Sequence, residues 1–217
     1  MADRPETLLI IPTYNEAGNL ERLVRAIQEK YPDLQILVID DHSPDGTGAI
    51  ADRLARQGSL QVIHRPRKLG VGSAHRLGFQ YAMEREYRYA ITMDGDFAHS
   101  PECLGRLLEE AKGADVVVGS RYLPGGDFHR IGRIRPMVSW VSHWLFTHLL
   151  RLPYDCTGGL RLYRVAALNP VDFEKDSSDG HAFLFEVLYH LRRRGFSIRE
   201  IPIVIQPRLK GRSKVSW

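Results

Sequence analysis

Cysteine is scarce: 217 residues contain two, Cys103 and Cys156. Two thiols build no disulfide scaffold and their spacing fits no metal site, so both read as reduced and incidental, as in the cytosol. Long apolar runs are missing as well. No segment reaches the ~20 apolar residues of a spanning helix. The polar start, Met1 to Glu6, is too brief to precede a signal peptide. There are 9 histidines, yet His42, His64, His75, His99 and His143 have no ligand spacing and read as local polar residues. No Ser-His-Asp-like triad is visible. Internal repeats, low-complexity tracts and obvious linkers are absent. The net charge is mild, +4 with a pI near 9.1. It suits an anionic substrate or an anionic membrane surface without demanding either. No nucleic-acid partner is expected.

What is present is an alternation. Short apolar runs at Leu8–Ile11, Ile36–Ile39, Leu60–Ile63, Tyr89–Met93 and Val116–Val118 read as strands buried on both faces. Between them Leu20, Leu23, Val24 and Ile27 keep helical spacing. So do Ile50 to Ala55 and Ala74 to Tyr81. Ser100 is placed to cap a helix whose first residue is Pro101. Alternating strand and helix predicts an α/β fold, a single domain with a mostly parallel central sheet covered on both faces. Later, Thr157 to Arg164 reads as a turn entering a strand, Ala182 to Arg194 as a helix, and Ile198 to Ile205 as an edge strand broken by Pro202. In such sheets ligands bind beyond the carboxyl ends of the strands.

Those loops hold the unusual residues. Asp94-Gly95-Asp96 follows the fourth strand. Two carboxylates one residue apart can hold Mg²⁺ or Mn²⁺, which take oxygen ligands and are usually completed by substrate phosphates. Asp-Gly is also a common turn dipeptide. Glu16 can accept from a nucleobase or simply favour a helix start. Asp40, Asp41 and Asp45 can be ordinary turn residues, and Asp45 reads as structural. Arg65, Arg67 and Lys68 precede Leu69-Gly70-Val71-Gly72, either an anion-binding helix start or a solvated basic loop. Arg192 to Arg194 sits at a helix end and has no catalytic role.

In order, the chain carries Pro-Thr-Tyr-Asn-Glu at 12–16, Asp-Asp-His-Ser-Pro-Asp-Gly-Thr at 40–47, Leu-Gly-Val-Gly at 69–72, Asp-Gly-Asp at 94–96 and Ser-Arg-Tyr at 120–122. Thr-Gly-Gly-Leu-Arg-Leu-Tyr-Arg at 157–164 and Gly-Arg-Ser-Lys at 211–214 follow. This series resembles the family 2 glycosyltransferases of the GT-A (Rossmann-like) fold, and within them the dolichyl- and polyprenyl-phosphate mannose synthases. The resemblance implies a metal-dependent inverting transfer of mannose from GDP-mannose to a polyprenyl or dolichyl phosphate. It implies that Pro12, Tyr14, Glu16, Ile39 and Asp41 line the nucleotide pocket. Asp94, Gly95 and Asp96 would meet the diphosphate and Mg²⁺ or Mn²⁺, with Asp96 the first metal ligand and Asp94 the second. Arg121, Arg208 and Lys214 would contact donor phosphates or sugar, and Arg135 and Ser139 the acceptor phosphate. Asp96, Arg121 and Arg135 are the catalytic candidates. Residues 1–122 would form a nucleotide-sugar-binding half, and 123–217 an acceptor-binding and lid half. Ala98 stands where some relatives supply a further metal ligand, and Trp140 where an Arg is common. The end at Trp217 reads as short for the family.

The segment from Arg130 to Leu150 is expected to form an interfacial helix. Met137, Trp140, Val141, Trp144, Leu145 and Leu149 share one face, suited to a membrane surface or to a core. The protein is therefore expected on the cytoplasmic face of a membrane, with room for a membrane-anchoring partner protein. Two alternatives stand beside this reading. One is a related transferase using UDP-glucose or another nucleotide sugar. The other is an inactive nucleotide-sugar-binding subunit, against which the intact Asp94 and Asp96 argue.

Overall fold

A computed structural model describes residues 6–58, 60–127, 144–171, 178, 180 and 182–206. The five early apolar runs form β1 (Thr7–Thr13), β2 (Gln35–Asp40), β3 (Leu60–His64), β4 (Tyr89–Thr92) and β5 (Val116–Ser120). Between them lie α1 (Leu20–Lys30), α2 (Thr47–Ala55), α3 (Val71–Glu84) and α4 (Cys103–Glu110). A helical run over 144–149, α5, comes next. It is followed by β6 (Arg161–Arg164), the single-turn α6 (Val165–Leu168), α7 (Ala182–Arg193) and β7 (Ile198–Pro202).

Helix α4 starts at Cys103, later than the expected Pro101. The intervening residues make a tight turn in which the Cys103 amide donates to the Ser100 carbonyl and the Leu104 amide to the Pro101 carbonyl, each at 3.1 Å. Such three-residue hydrogen bonds often wind a helix end more tightly than the α form.

The strands make one sheet in the order β3-β2-β1-β4-β6-β5-β7. β1 to β4 pair in parallel, as do β5 and β7. β6 runs antiparallel between β4 and β5. This reversal brings the start of β6, and the loop before it, to the rim where β4 and β5 end. β7 is an edge strand, so Pro202 at its end removes no hydrogen bond from an interior ladder.

β1 is apolar without a break because both of its faces are covered. Leu8 and Ile10 pack with Leu37, Ile39, Phe79 of α3 and Phe183 of α7. Leu9 and Ile11 pack on the other side with Leu23 and Ile27 of α1 and Leu107 of α4. The result is three layers, with α1, α2 and α4 on one face and α3, α6 and α7 on the other.

Candidate active site

The loops after β1 and β2 are stitched together by their own polar side chains. The Asn15 amide donates to Ser43 Oγ at 3.0 Å, the Glu16 amide to Thr47 Oγ1 at 2.8 Å, and the Ala17 amide to Asp45 Oδ2 at 3.0 Å. Asp45 also accepts from the Thr47 amide and hydroxyl, so its expected structural role holds. Asp40 accepts from Thr13 Oγ1 and from Ser43. Asn15, His42 and Phe97 have φ of 56°, 56° and 64°. Non-glycine residues in that region carry strain that often gathers at functional sites, and these three sit in the loops after β1, β2 and β4.

The residues expected around a nucleotide are brought to this end, but not all present a side chain. Pro12 and Tyr14 are half-buried, and Lys68 Nζ lies 4.3 Å from the centre of the Tyr14 ring. Glu16 is buried and accepts from Asn19 Nδ2 at 2.8 Å. Ile39 is wholly buried in the core, so only its backbone can border a ligand. Asp41 is also turned inward. Its Oδ2 accepts from the Leu69 and Gly70 amides at 3.2 and 3.0 Å, and its Oδ1 pairs with Arg65. Arg65 donates in addition to Ser73 Oγ and the Gly70 carbonyl. Arg65 therefore matches neither reading of the basic loop before α3: it is buried and clamps the helix start.

The acid pair sits at the middle of the rim. Asp94 is half-exposed, while Asp96 is 5% exposed and its Oδ1 accepts from the Ala98 amide at 3.0 Å. Gly95 lies against the end of β1, where a Cβ would come within 3.3 Å of Thr13 Cγ2. Two carboxylates suit Mg²⁺ or Mn²⁺, whose remaining oxygens come from phosphate and water. Among the described residues no group of three His, Cys, Asp or Glu could hold a metal. The donor set therefore fits a cation that arrives with a diphosphate, not one caged by protein alone. Sequence reasoning left His99 aside. It is buried, with Nε2 3.6 Å from Asp94 Oδ2, and its signal was its place in the same loop as the acid pair.

Arg121 differs from expectation. It was expected to clamp donor phosphates, but its fork is engaged within the chain. Nε donates to Asp155 Oδ2 and Nη2 to Asp155 Oδ1, both at 2.7 Å, and Nη2 donates also to Thr157 Oγ1. Burial alone would push the Asp155 carboxyl up, but the Arg121 hydrogen bonds and charge hold it below the usual carboxylate range. In this arrangement Arg121 shapes the loop before β6, and its expected phosphate contact stands as a proposal. The same loop is held from below by Arg161, a residue with no exposed surface. Arg161 Nε donates to the Gly158 carbonyl at 3.0 Å, and Nη2 to the Cys156 carbonyl at 2.7 Å and the Asp155 carbonyl at 3.2 Å. Nη1 donates to the Leu184 carbonyl of α7 at 2.5 Å. Neither Asp155 nor Arg161 was singled out in the sequence, although Arg161 lies within the quoted Thr157 to Arg164 motif. The Gly158-Gly159 turn they fix lies on the acid pair. Thr92 Oγ1 donates to the Gly159 carbonyl at 2.7 Å, and a Cβ on Gly159 would come within 2.9 Å of Asp94 Oδ1.

After β7 the chain returns to the same place. Asp127 bridges to Val204, and the Gln206 amide donates to the Ala98 carbonyl at 2.9 Å. Arg135, Ser139, Arg208 and Lys214 lie outside the described residues.

Residues 8–171 match the family model described as glycosyl transferase family 2. The chain is 40% identical over 214 residues to the polyprenol monophosphomannose synthase of Mycolicibacterium smegmatis, covering 97% of this chain and 81% of that protein. It is 40% identical over 211 residues to the undecaprenyl-phosphate mannosyltransferase of Micrococcus luteus, covering 96% and 87%. Among solved structures it is similar to a mannosyltransferase from Pyrobaculum calidifontis in complex with GDP-Man and Mn²⁺, with a TM-score of 0.62 at 18% identity. That match covers 94% of this chain and only 57% of the other. It is also similar to glucosyl-3-phosphoglycerate synthase from Mycobacterium tuberculosis in complex with Mn²⁺ and UDP-glucose, with a TM-score of 0.67 at 16% identity over 96% and 72% of the two chains. At such identities the solved structures speak for the fold alone.

Proposed function

We propose, from the premise that this chain belongs to glycosyl transferase family 2 and has its GT-A fold, that it transfers mannose from GDP-mannose to a polyprenyl phosphate. The observation that carries this reading is the 40% identity, across nearly the whole chain, with relatives named for mannose transfer to polyprenyl carriers. Those relatives also favour mannose over the UDP-glucose alternative.

The acceptor phosphate is an anion near neutral pH and needs no strong base. Its oxygen forms a bond to the anomeric carbon from the face opposite GDP, the bond from that carbon to the GDP oxygen breaks, and the configuration inverts. What the chain must do is align these atoms and favour the departing diphosphate. Asp96 and Asp94 are the residues that would hold Mg²⁺ or Mn²⁺ with the diphosphate. When bound, the cation supplies Lewis-acid stabilisation of the leaving oxygens. Pro12, Tyr14 and the backbone at Ile39 form the proposed nucleotide end, with Glu16 and Asp41 behind them. Gly95 lets the acid-pair loop lie close to β1. Arg121 keeps Asp155 and Thr157 in place beside Asp94. Arg208 and Lys214 remain the proposed clamps on the diphosphate, supported by the Gln206 bond that pins the preceding chain to Ala98. Arg135 and Ser139 remain the proposed partners of the acceptor phosphate.

The acceptor's tail stays in a bilayer, so the site must approach a membrane. No helix among the described residues is long and apolar enough to cross one. Helix α5 instead offers an apolar surface: Trp144 is 51%, Leu145 44% and Leu149 75% exposed. Phe146, half-buried in the same helix, stacks on Phe185 of α7 at 4.8 Å. That geometry supports peripheral docking on a membrane surface, which we place on the cytoplasmic side as part of the proposal. A membrane-anchoring partner protein would dock there too.

The test is mass detection of mannosylated undecaprenyl phosphate from GDP-mannose and Mn²⁺. The native chain is expected to form it, and Asp96→Asn to lose at least about a hundredfold in turnover with an unchanged fold. Product from UDP-glucose but not GDP-mannose would replace the donor. No product from any donor, despite binding, would leave the inactive-subunit reading.

A further inference from the structure

Beside Asp94, on the side away from the nucleotide end, lies a small cavity of about 50 Å³. The first turn of α3, the turn before β6 and the start of α7 enclose it. Val71, His75, Asp94, Thr157, Gly159 and Leu184 are among its lining residues. A single water needs roughly 10–15 Å³ measured in this way, so the space takes a few waters or one hydroxyl-bearing edge of a ring.

The lining has a definite chemistry. It offers a carboxylate, an imidazole, a hydroxyl and peptide groups, and no Lys or Arg among the described residues. The nearby Arg121 is already engaged by Asp155 and Thr157, so no cation among the described residues there is free to take a phosphate. Neutral hydroxyls suit these groups, because they donate to a carboxylate and exchange hydrogen bonds with an imidazole. The walls are firm. Arg161 ties the Cys156 and Gly158 carbonyls to the Leu184 carbonyl, and His75 is 2% exposed and stacks at 6.5 Å on Phe79. Rigid walls with few polar groups discriminate between ligands that differ by one hydroxyl.

Position says which hydroxyls. Sheet order places the nucleotide end over β1 and β2, Asp94 after β4, and this cavity by the start of β6. A donor whose diphosphate lies at the acid pair, with its nucleoside over β1, points its sugar toward β6. We propose that His75 is a specificity-determining residue that reads a hydroxyl of the transferred hexose in this cavity. This rests on the donor reading given above.

Calorimetry in Mn²⁺ tests it, comparing GDP-mannose with GDP on the native chain, His75→Phe and Leu184→Phe. Phenylalanine at 75 keeps the stack on Phe79 but removes the polar nitrogens. Phenylalanine at 184 fills the cavity from α7 without altering His75. In each variant GDP-mannose is expected to bind about tenfold more weakly while GDP stays within about twofold, since a lost hydroxyl partner affects the sugar alone. GDP binding also reports that a variant is folded, and if His75→Phe fails to fold, an unchanged GDP-mannose affinity in Leu184→Phe still overturns the assignment. Equal losses for GDP and GDP-mannose, or no loss for either, would overturn the assignment. If the native chain binds UDP-glucose and not GDP-mannose, the donor reading falls instead. The same ratio, measured with UDP-glucose against UDP, then decides the role of His75.

Discussion

Asp155 has no exposed surface and carries its charge into the protein's interior. The Arg121 side chain, with amide donors from Arg121, Thr157 and Gly158, makes that tolerable, because a buried charge without partners is strongly unfavourable. Asp155→Ala leaves Arg121 unpaired and is expected to lower stability by about 3–5 kcal/mol, measured by urea unfolding. The pH dependence follows from the sign of the shift. The folded carboxyl lies below its ordinary range, so its contribution is complete above the unfolded value of about 4 and is lost as pH falls through the folded value. Glu200, pushed up by burial, runs the other way: its contribution is complete at low pH and is lost as pH rises through its folded value. Melting temperatures of the native chain and Asp155→Asn are therefore expected to converge as the solution is acidified below about pH 4. None of this could be read from the sequence, where Arg121 and Asp155 stand far apart and each resembles an ordinary loop residue. Arg121 was expected at a phosphate from the resemblance carried by Ser120-Arg121-Tyr122. The acid pair, by contrast, was legible because its two carboxylates are neighbours.

At the scale of elements, the turn before β6 depends on the missing side chain of Gly159. A methyl there meets the Asp94 carboxylate at 2.9 Å, and one of the two must shift. Gly159→Ala is expected to lower turnover by about a hundredfold, the cost of misplacing a reacting group by an ångström. The melting temperature should change little, because the shifted groups lie at the rim and not in the core. A stopped assay beside a thermal melt checks both. Strands β1 to β5 were legible because a strand covered on both faces leaves a continuous apolar run. The direction of β6 was not, since an apolar pattern reads the same either way along a sheet. That direction decides the site: it brings Thr157 to Gly159 beside Asp94.

At the scale of the molecule, α5 gives the protein an oily side. Replacing Trp144 and Leu149 together by Ser is expected to lower co-sedimentation with anionic liposomes severalfold, while transfer to a short water-soluble acceptor persists. Equal sedimentation of two folded proteins would rule out docking through this surface. The interleaved strand has a further consequence, in time. A ribosome releases β4 and β5 well before β6, and until β6 arrives those two strands have no partner between them. Open strand edges are sites of aggregation, and pairing that spans Tyr89 to Arg164 is slow to form. The nascent chain must therefore wait with its sheet unclosed, and the nucleotide half cannot be released as an independent piece. A fragment ending at Asp127 is expected to aggregate at concentrations where the full chain remains clear by light scattering.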